Sequence, residues 1–439
     1  MPRALATDLY QLTMMAGYHV LGDDEPRSFE MFVRHLPPHR SYLVAAGLEQ
    51  ALSYLETLRF RSEEIEWLRS APALARVPAS FFDELLAEFR FTGEVWAVEE
   101  GEPVFANEPL LRVTAPAPQA QLVETALLAI ITQQTSVASK AARVVHSANG
   151  RAVIEFGSRR APGLDAALHA ARAACLAGCV ATSNVEAGLR FGVPISGTMA
   201  HSWVMGFGDE LDSFREYLAL FGDDTTLLID TYDTVTAAQR IVEAGLRPGS
   251  VRLDSGDLLQ LSRQVRSVLD AGGLQSTRIL VSGDLDEYRI AELLAAEAPI
   301  DGFGVGTAIS AVGDAPALGA VYKLVETTEK GRRRPTAKRS PGKQTLPGRK
   351  QVWRLSRDGC AARDVLGLDS EAGIEGRPLL QCVMREGRRT RPAVPVGDIQ
   401  RRCRQRVAEL PPALHRLGDE PASYRVDISN ELQALVRAT

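Results

Sequence analysis

The chain has 439 residues, 45% hydrophobic and 24% charged, which supplies core for two or three domains and excludes a disulfide-stapled scaffold, a fibrous repeat or a disordered polyanion. Its net charge of -5 conceals a division, because residues 1–329 carry 26 basic and 43 acidic groups whereas 330–439 carry 24 and 12. A basic C-terminal part suits nucleic acid or a phosphorylated small molecule, and charge alone does not separate the two.

The opening MPRALATDLYQ lacks the apolar run of a signal peptide, and nothing later approaches the roughly 20 apolar residues of a membrane span, so a cytoplasmic protein with no membrane partner is expected. Helices are predicted near 8–21, 46–58 and 78–89. Alternating strands follow in FTGEVWAVEEGEPVFANEPLLRVTA, making 1–120 a separate α+β domain. An Ala-, Leu- and Val-rich helix at 119–147 leads out of it. From Val153 to Glu326 short β-rich runs alternate with amphipathic helices such as 163–178 and 256–271. The runs begin near Val153, Val180, Pro194, Thr226, Val251, Ile279, Gly302 and Val321, at spacings that suit βα units, and seven or eight of these predict an α/β barrel over 121–329. Residues 331–350 hold Pro, Gly and positive charge with no acidic group and read as an exposed loop, or alternatively a lid over an anion. The strand-like KQVWRL and LLQCVM place 330–439 on the N-terminal domain. Cys175 and Cys179 read as helix-packing thiols, since no second ligand pair gives zinc spacing.

In an α/β barrel the chemistry sits where strands end, and here those ends read EFGSRR, ATSN, SGTMAHS, DTYD, RLDSGD, VSGDLDE and GFGVGT. Any one of them is a good helix N-cap. Six or seven converging on one face, with arginines, carboxylates and His201 among them, exceed what capping requires. SGD at 282–284 and GFGVGT at 302–307 offer glycine turns before helices, the pattern of a phosphate site. His201 is either a hydrogen-bonded structural residue or a group that accepts phosphoryl or moves a proton. Arg159, Arg160 and Arg252 suit carboxylate or phosphate oxygens, or else ion pairs with Glu155 or Asp254. Tyr10 and Phe156 are core aromatics or a clamp on a flat ring.

The segments TDLYQLTM, FGSRRAPGLDAAL, TSNVEAGLRFGVPISGTMAHSW, VRLDSGDL, SGDLDEYRI, GFGVGT and GAVYKL, in this order, resemble the nicotinate phosphoribosyltransferase family. The resemblance implies a type II phosphoribosyltransferase-like fold, an irregular α/β barrel with a second α+β domain built from the N- and C-terminal segments. It implies an enzyme that forms nicotinate mononucleotide from nicotinate and phosphoribosyl pyrophosphate in NAD biosynthesis, with coupled ATP hydrolysis and Mg²⁺, as a homodimer with shared active sites. On that basis nicotinate lies between Phe156 and Tyr10 of the partner subunit, its carboxylate faces Arg159 and Arg252, and Thr198 lines its pocket. Asp254 and Asp284 fall near the ribose and pyrophosphate, Gly283, Gly304, Gly306 and Thr307 form the 5'-phosphate cradle, and His201 is the residue phosphorylated by ATP. The metal ligands stay unassigned. Ser183 stands where related nicotinamide-using enzymes have an Asp, which favours a carboxylate substrate. The rival readings are a nicotinamide- or quinolinate-using phosphoribosyltransferase, and a nucleic-acid binder. GTMAHSW and the longer chain oppose quinolinate, and the absence of interleaved aromatics from the basic tail opposes nucleic acid.

Overall fold

The computed structural model describes residues 4–418 and 420–439. Backbone packing divides the chain into two compact units, one of Met1–Ser136, Ala317–Val394 and Arg402–Thr439, the other of Val137–Pro316 and Pro395–Arg401.

The first unit is built on a seven-stranded sheet in the order Arg332–Pro335, Ala320–Glu329, Pro26–Val33, Pro109–Pro116, Glu94–Val98, Leu380–Arg385, Arg388–Arg389. Every pairing in it is antiparallel. Phe29 stacks on Tyr322 at 4.8 Å, and Met31, Val95, Leu111, Val113 and Val383 are buried in the same apolar core. The helices expected near 8–21 and 46–58 are Leu9–Leu21 and Leu48–Thr57, while that near 78–89 is a π-helical turn, Phe81–Leu86. A four-stranded sheet carries Lys350–Arg357 beside Cys360–Leu368. Its buried Arg354 is held by Asp364 at 2.6 Å and Glu102 at 2.7 Å, so charges that would be costly alone are paired.

Two sequence expectations need correction here. The run at Val321 is not a barrel strand, because Ala320–Glu329 pairs antiparallel with Pro26–Val33. Its burial is broken by half-exposed positions, as befits a sheet with unequal faces, whereas the parallel strand Gly302–Val305 is buried throughout. Likewise 331–350 is not all loop. Arg332–Pro335 forms an edge strand, and Thr345 and Lys350 are buried.

The second unit carries six parallel strands in the order Ala181–Thr182, Ala152–Glu155, Gly302–Val305, Arg278–Val281, Ser250–Leu253, Thr226–Leu228. The run at Pro194 adds only one bridge, Thr182 to Ile195, since proline has no N–H for a ladder. The sheet is therefore a curled half-barrel. Segment 194–198 links its two ends: Thr182 N donates to Pro194 O, Ser196 N to Thr182 O, and Thr198 Oγ1 to Thr226 O at 2.7 Å. Helices Leu164–Leu176 and Leu258–Ala271 follow strands as their periodicity predicts. Cys175 and Cys179 are buried thiols whose carbonyls both accept from Gln400 Nε2. No helix among the described residues is long and apolar enough to cross a membrane.

Candidate functional site

The polar strand ends separate into two kinds of residue. Asn184, Asp233, Asp257 and Asp286 are N-caps, each accepting from backbone N–H groups of the helix it opens. Such a cap stabilises a helix by about 1 kcal/mol and commits one side-chain oxygen to it. Asp230, Asp254 and Asp284 stand three, three and two residues earlier and cap nothing. Those three are available.

Phe156, Thr198, Arg252 and Gly304 line one pocket with Ser196, Thr226 and Ser282. Its floor is aromatic. The Phe156 ring covers Gly304 so closely that a Cβ there would lie 2.5 Å from Phe156 Cε2, which is why this strand needs glycine at that point. Arg252 lies over Phe156, 5.6 Å from guanidinium carbon to ring centroid. Its Nε donates to Ser282 Oγ at 2.7 Å and its Nη2 to Asp254 Oδ1 at 2.6 Å. The ion-pair reading of Arg252 thus holds, yet it uses only one side of the fork.

Asp254 is fixed from several directions. Ser282 Oγ donates to Oδ1 at 2.5 Å, and the backbone N–H of Asp254 donates to Asp230 Oδ2 at 2.9 Å. Gly283, at φ +94°, packs against the Asp254 carbonyl where any Cβ would collide. Burial alone would raise the Asp254 carboxyl, but the Ser282 hydrogen bond, the Arg252 cation and His201 outweigh it and hold the group below the usual aspartate range. His201 opens the helix His201–Met205 and is partly exposed, with Nδ1 3.2 Å from Thr231 Oγ1 and Nε2 3.9 Å from Asp254 Oδ2. Asp230 also accepts from Ser255 Oγ at 2.6 Å, while its Oδ1 is buried and accepts from no group among the described residues. A buried bare carboxylate oxygen is costly unless something cationic completes it.

Other residues expected at the site lie on its rim or elsewhere. Arg159 and Arg160 are exposed on the turn Ser158–Arg160, and Ser183 is exposed beside them, where Asn184 Nδ2 donates to Ser158 Oγ at 3.0 Å. Glu155 does not pair with these arginines. It accepts from Thr182 Oγ1 at 2.6 Å and from Gly157 N, which braces both rim loops. Gly306 packs against the Phe156 carbonyl, Thr307 begins helix Thr307–Ala311, and Asp284 is exposed at φ 46°. Tyr10 belongs to the first unit, 47% exposed on helix Leu9–Leu21. Lys140 bridges Glu287 at 2.7 Å and Asp314 at 3.1 Å as a structural cation. Ser282, Asp230 and Thr231 were absent from the expected site set. Each stood inside a strand-end motif, and no local signal marked it off from a cap.

Comparison with known proteins follows the same path. Residues 5–132 match the nicotinate phosphoribosyltransferase N-terminal domain, 152–332 the nicotinate phosphoribosyltransferase family and 372–436 its C-terminal domain. The nicotinate phosphoribosyltransferase pncB2 of Mycobacterium tuberculosis is 45% identical over 439 residues, covering 98% of this chain and 92% of its own. That of Bacillus subtilis is 45% identical over 362 residues, covering 80% and 73%. The crystal structure of human nicotinic acid phosphoribosyltransferase superposes with a TM-score of 0.85 at 30% identity, covering 98% of this chain and 99% of that one.

Proposed function

The chain belongs to the nicotinate phosphoribosyltransferase family, and from that premise we propose that the half-barrel mouth joins nicotinate to the ribose of phosphoribosyl pyrophosphate. The observation that carries this reading is the Arg252 guanidinium, tethered on one side and laid over Phe156. A flat ring with a carboxylate meets both of its needs there: a π surface below and an unspent N–H beside it. Thr198 lines the same pocket.

Displacement at the anomeric carbon develops positive charge on the sugar while pyrophosphate leaves with its electrons. The protein's share is to hold the ring nitrogen in line and to supply fixed charges that need no reorganisation. Asp254 and Asp284 hold ribose hydroxyls, and the backbone at Gly283, Gly304, Gly306 and Thr307 holds the 5'-phosphate. Among the described residues no group of three or more His, Cys, Asp or Glu forms a metal cluster. That suits Mg²⁺, which takes one or two carboxylates and completes its shell with substrate phosphates and water. Asp230, through its unpartnered Oδ1, and Asp254 would hold it, and the ion would neutralise pyrophosphate.

ATP acts through His201. Transfer of the γ-phosphoryl to an imidazole nitrogen releases ADP, the nearby phosphoryl group then alters substrate affinity, and its hydrolysis to inorganic phosphate restores the imidazole. Tyr10 completes the aromatic sandwich from the partner subunit of a homodimer. Supporting this is the exposed apolar face of its helix, with Leu9 53% and Met14 41% accessible. Ser183 leaves room for a carboxylate where an Asp would repel it.

Steady-state kinetics with nicotinate and nicotinamide test the proposal. The wild type prefers nicotinate, and Arg252→Ala raises the nicotinate KM by about 30- to 100-fold, the scale of one lost charge-assisted hydrogen-bond pair. An unchanged KM removes Arg252 from the ring site. A wild-type preference for nicotinamide removes the role of Ser183.

A further inference from the structure

We infer that Ser282 is the positioning residue that aims Arg252 at the carboxylate of the pyridine substrate; the inference rests on the proposed ring site and adds to it. Ser282 is 3% exposed on the strand end next to that of Arg252 and has a single hydroxyl. That hydroxyl accepts from Arg252 Nε at 2.7 Å and donates its only proton to Asp254 Oδ1 at 2.5 Å. It therefore closes a three-membered ring of contacts with the direct Arg252 Nη2 to Asp254 Oδ1 bond of 2.6 Å.

The consequence is a partition of both charged groups. Arg252 spends Nε and one side of Nη2 on the protein, and no group among the described residues accepts from Nη1, which is left for a ligand. Asp254 spends Oδ1 on Arg252 and Ser282, and leaves Oδ2 toward His201. Were the hydroxyl absent, the fork would be free to swing both nitrogens onto the carboxylate of Asp254, since an arginine side chain has several torsions and a bidentate pair is its preferred geometry. Asp254 is less exposed to such drift, because its backbone is held by Asp230 and packed against Gly283. Ser282 thus bears on the pyridine more than on the sugar.

The experiment compares Ser282→Ala, Ser282→Thr and Arg252→Ala with the wild type, with thermal melts to establish that each is folded. The alanine variant shows a nicotinate KM raised about tenfold with the phosphoribosyl pyrophosphate KM within twofold, and the threonine variant, which keeps the hydroxyl, recovers most of that loss. A Ser282→Ala enzyme with unchanged nicotinate KM, beside an Arg252→Ala enzyme whose KM has risen, overturns the role of Ser282 and leaves the ring site standing. A threonine variant as impaired as the alanine one also overturns it, since packing would then explain the loss. If Arg252→Ala itself leaves the nicotinate KM unmoved, the ring site fails and this inference fails with it.

Discussion

Asp230 and Asp233 stand three residues apart in DTYD and do opposite jobs. Asp233 caps a helix, whereas Asp230 braces Asp254 and Ser255 and keeps one oxygen bare. Residue type at a strand end was legible in the sequence, but its job was not, because capping and ligand binding ask for the same short polar side chains. What separates them is the direction of the side chain, which tertiary packing sets. His201 was legible only through its neighbours GTMAHSW, and its place by Thr231 and Asp254 now gives it chemistry to test. His201→Ala abolishes ATP hydrolysis and ATP-stimulated turnover while leaving ATP-independent turnover measurable; normal coupling in that variant removes the assignment. A pH effect belongs at this scale too. Burial, assisted by Asp209 and Asp233 and opposed by Arg240, pushes the Glu210 carboxyl up to about 7. Between the unfolded value of about 4.5 and that figure the folded state binds more protons, so this group's contribution to stability falls as pH rises through the window. Glu210→Gln therefore melts about 2 °C above wild type at pH 8 and level with it at pH 4. Equal melting at both pH values contradicts the buried charge.

Among elements, the helices and most strands of the half-barrel follow from apolar periodicity and turn residues, so their positions were readable. Partners were not. The run at Val321 has the composition of a barrel strand, and nothing local says that it pairs with Pro26–Val33 far away in the chain. Nor does VPISG announce that proline limits it to one bridge and turns it into a strap across the sheet. The glycine pattern was the better guide, because close approach leaves a chemical trace. Gly304 exists to let Phe156 lie flat on the strand, so Gly304→Ala displaces that ring. The expected result is a nicotinate KM raised about tenfold with stability lowered by only about 1–2 kcal/mol, read from kinetics and a urea melt. A variant that keeps its KM shows that the ring's position is not what binds the base.

For the whole molecule, the charge division seen in the sequence is not a division of the structure, because one compact unit holds both the N-terminal segment and the basic C-terminal part. The basic C-terminal segment is woven into the sheet that the N-terminal segment begins, and many of its arginines are spent there on carboxylates: Arg354 on Asp364 and Glu102, Arg377 on Glu102, Arg389 on Glu49 and Glu56. These three arginines are thus committed to carboxylates of the same unit. The half-barrel keeps the opposite arrangement, with charged groups only partly paired around an aromatic floor. That contrast is the reason to place chemistry there. The most direct measurement is a crystal structure with nicotinate and phosphoribosyl pyrophosphate bound. The account predicts the pyridine ring on Phe156 with its carboxylate within hydrogen-bond distance of Arg252 Nη1, and the sugar phosphate on the turns at Gly283 and Gly306. Both ligands ordered at another surface, with the Phe156 pocket empty, would contradict it.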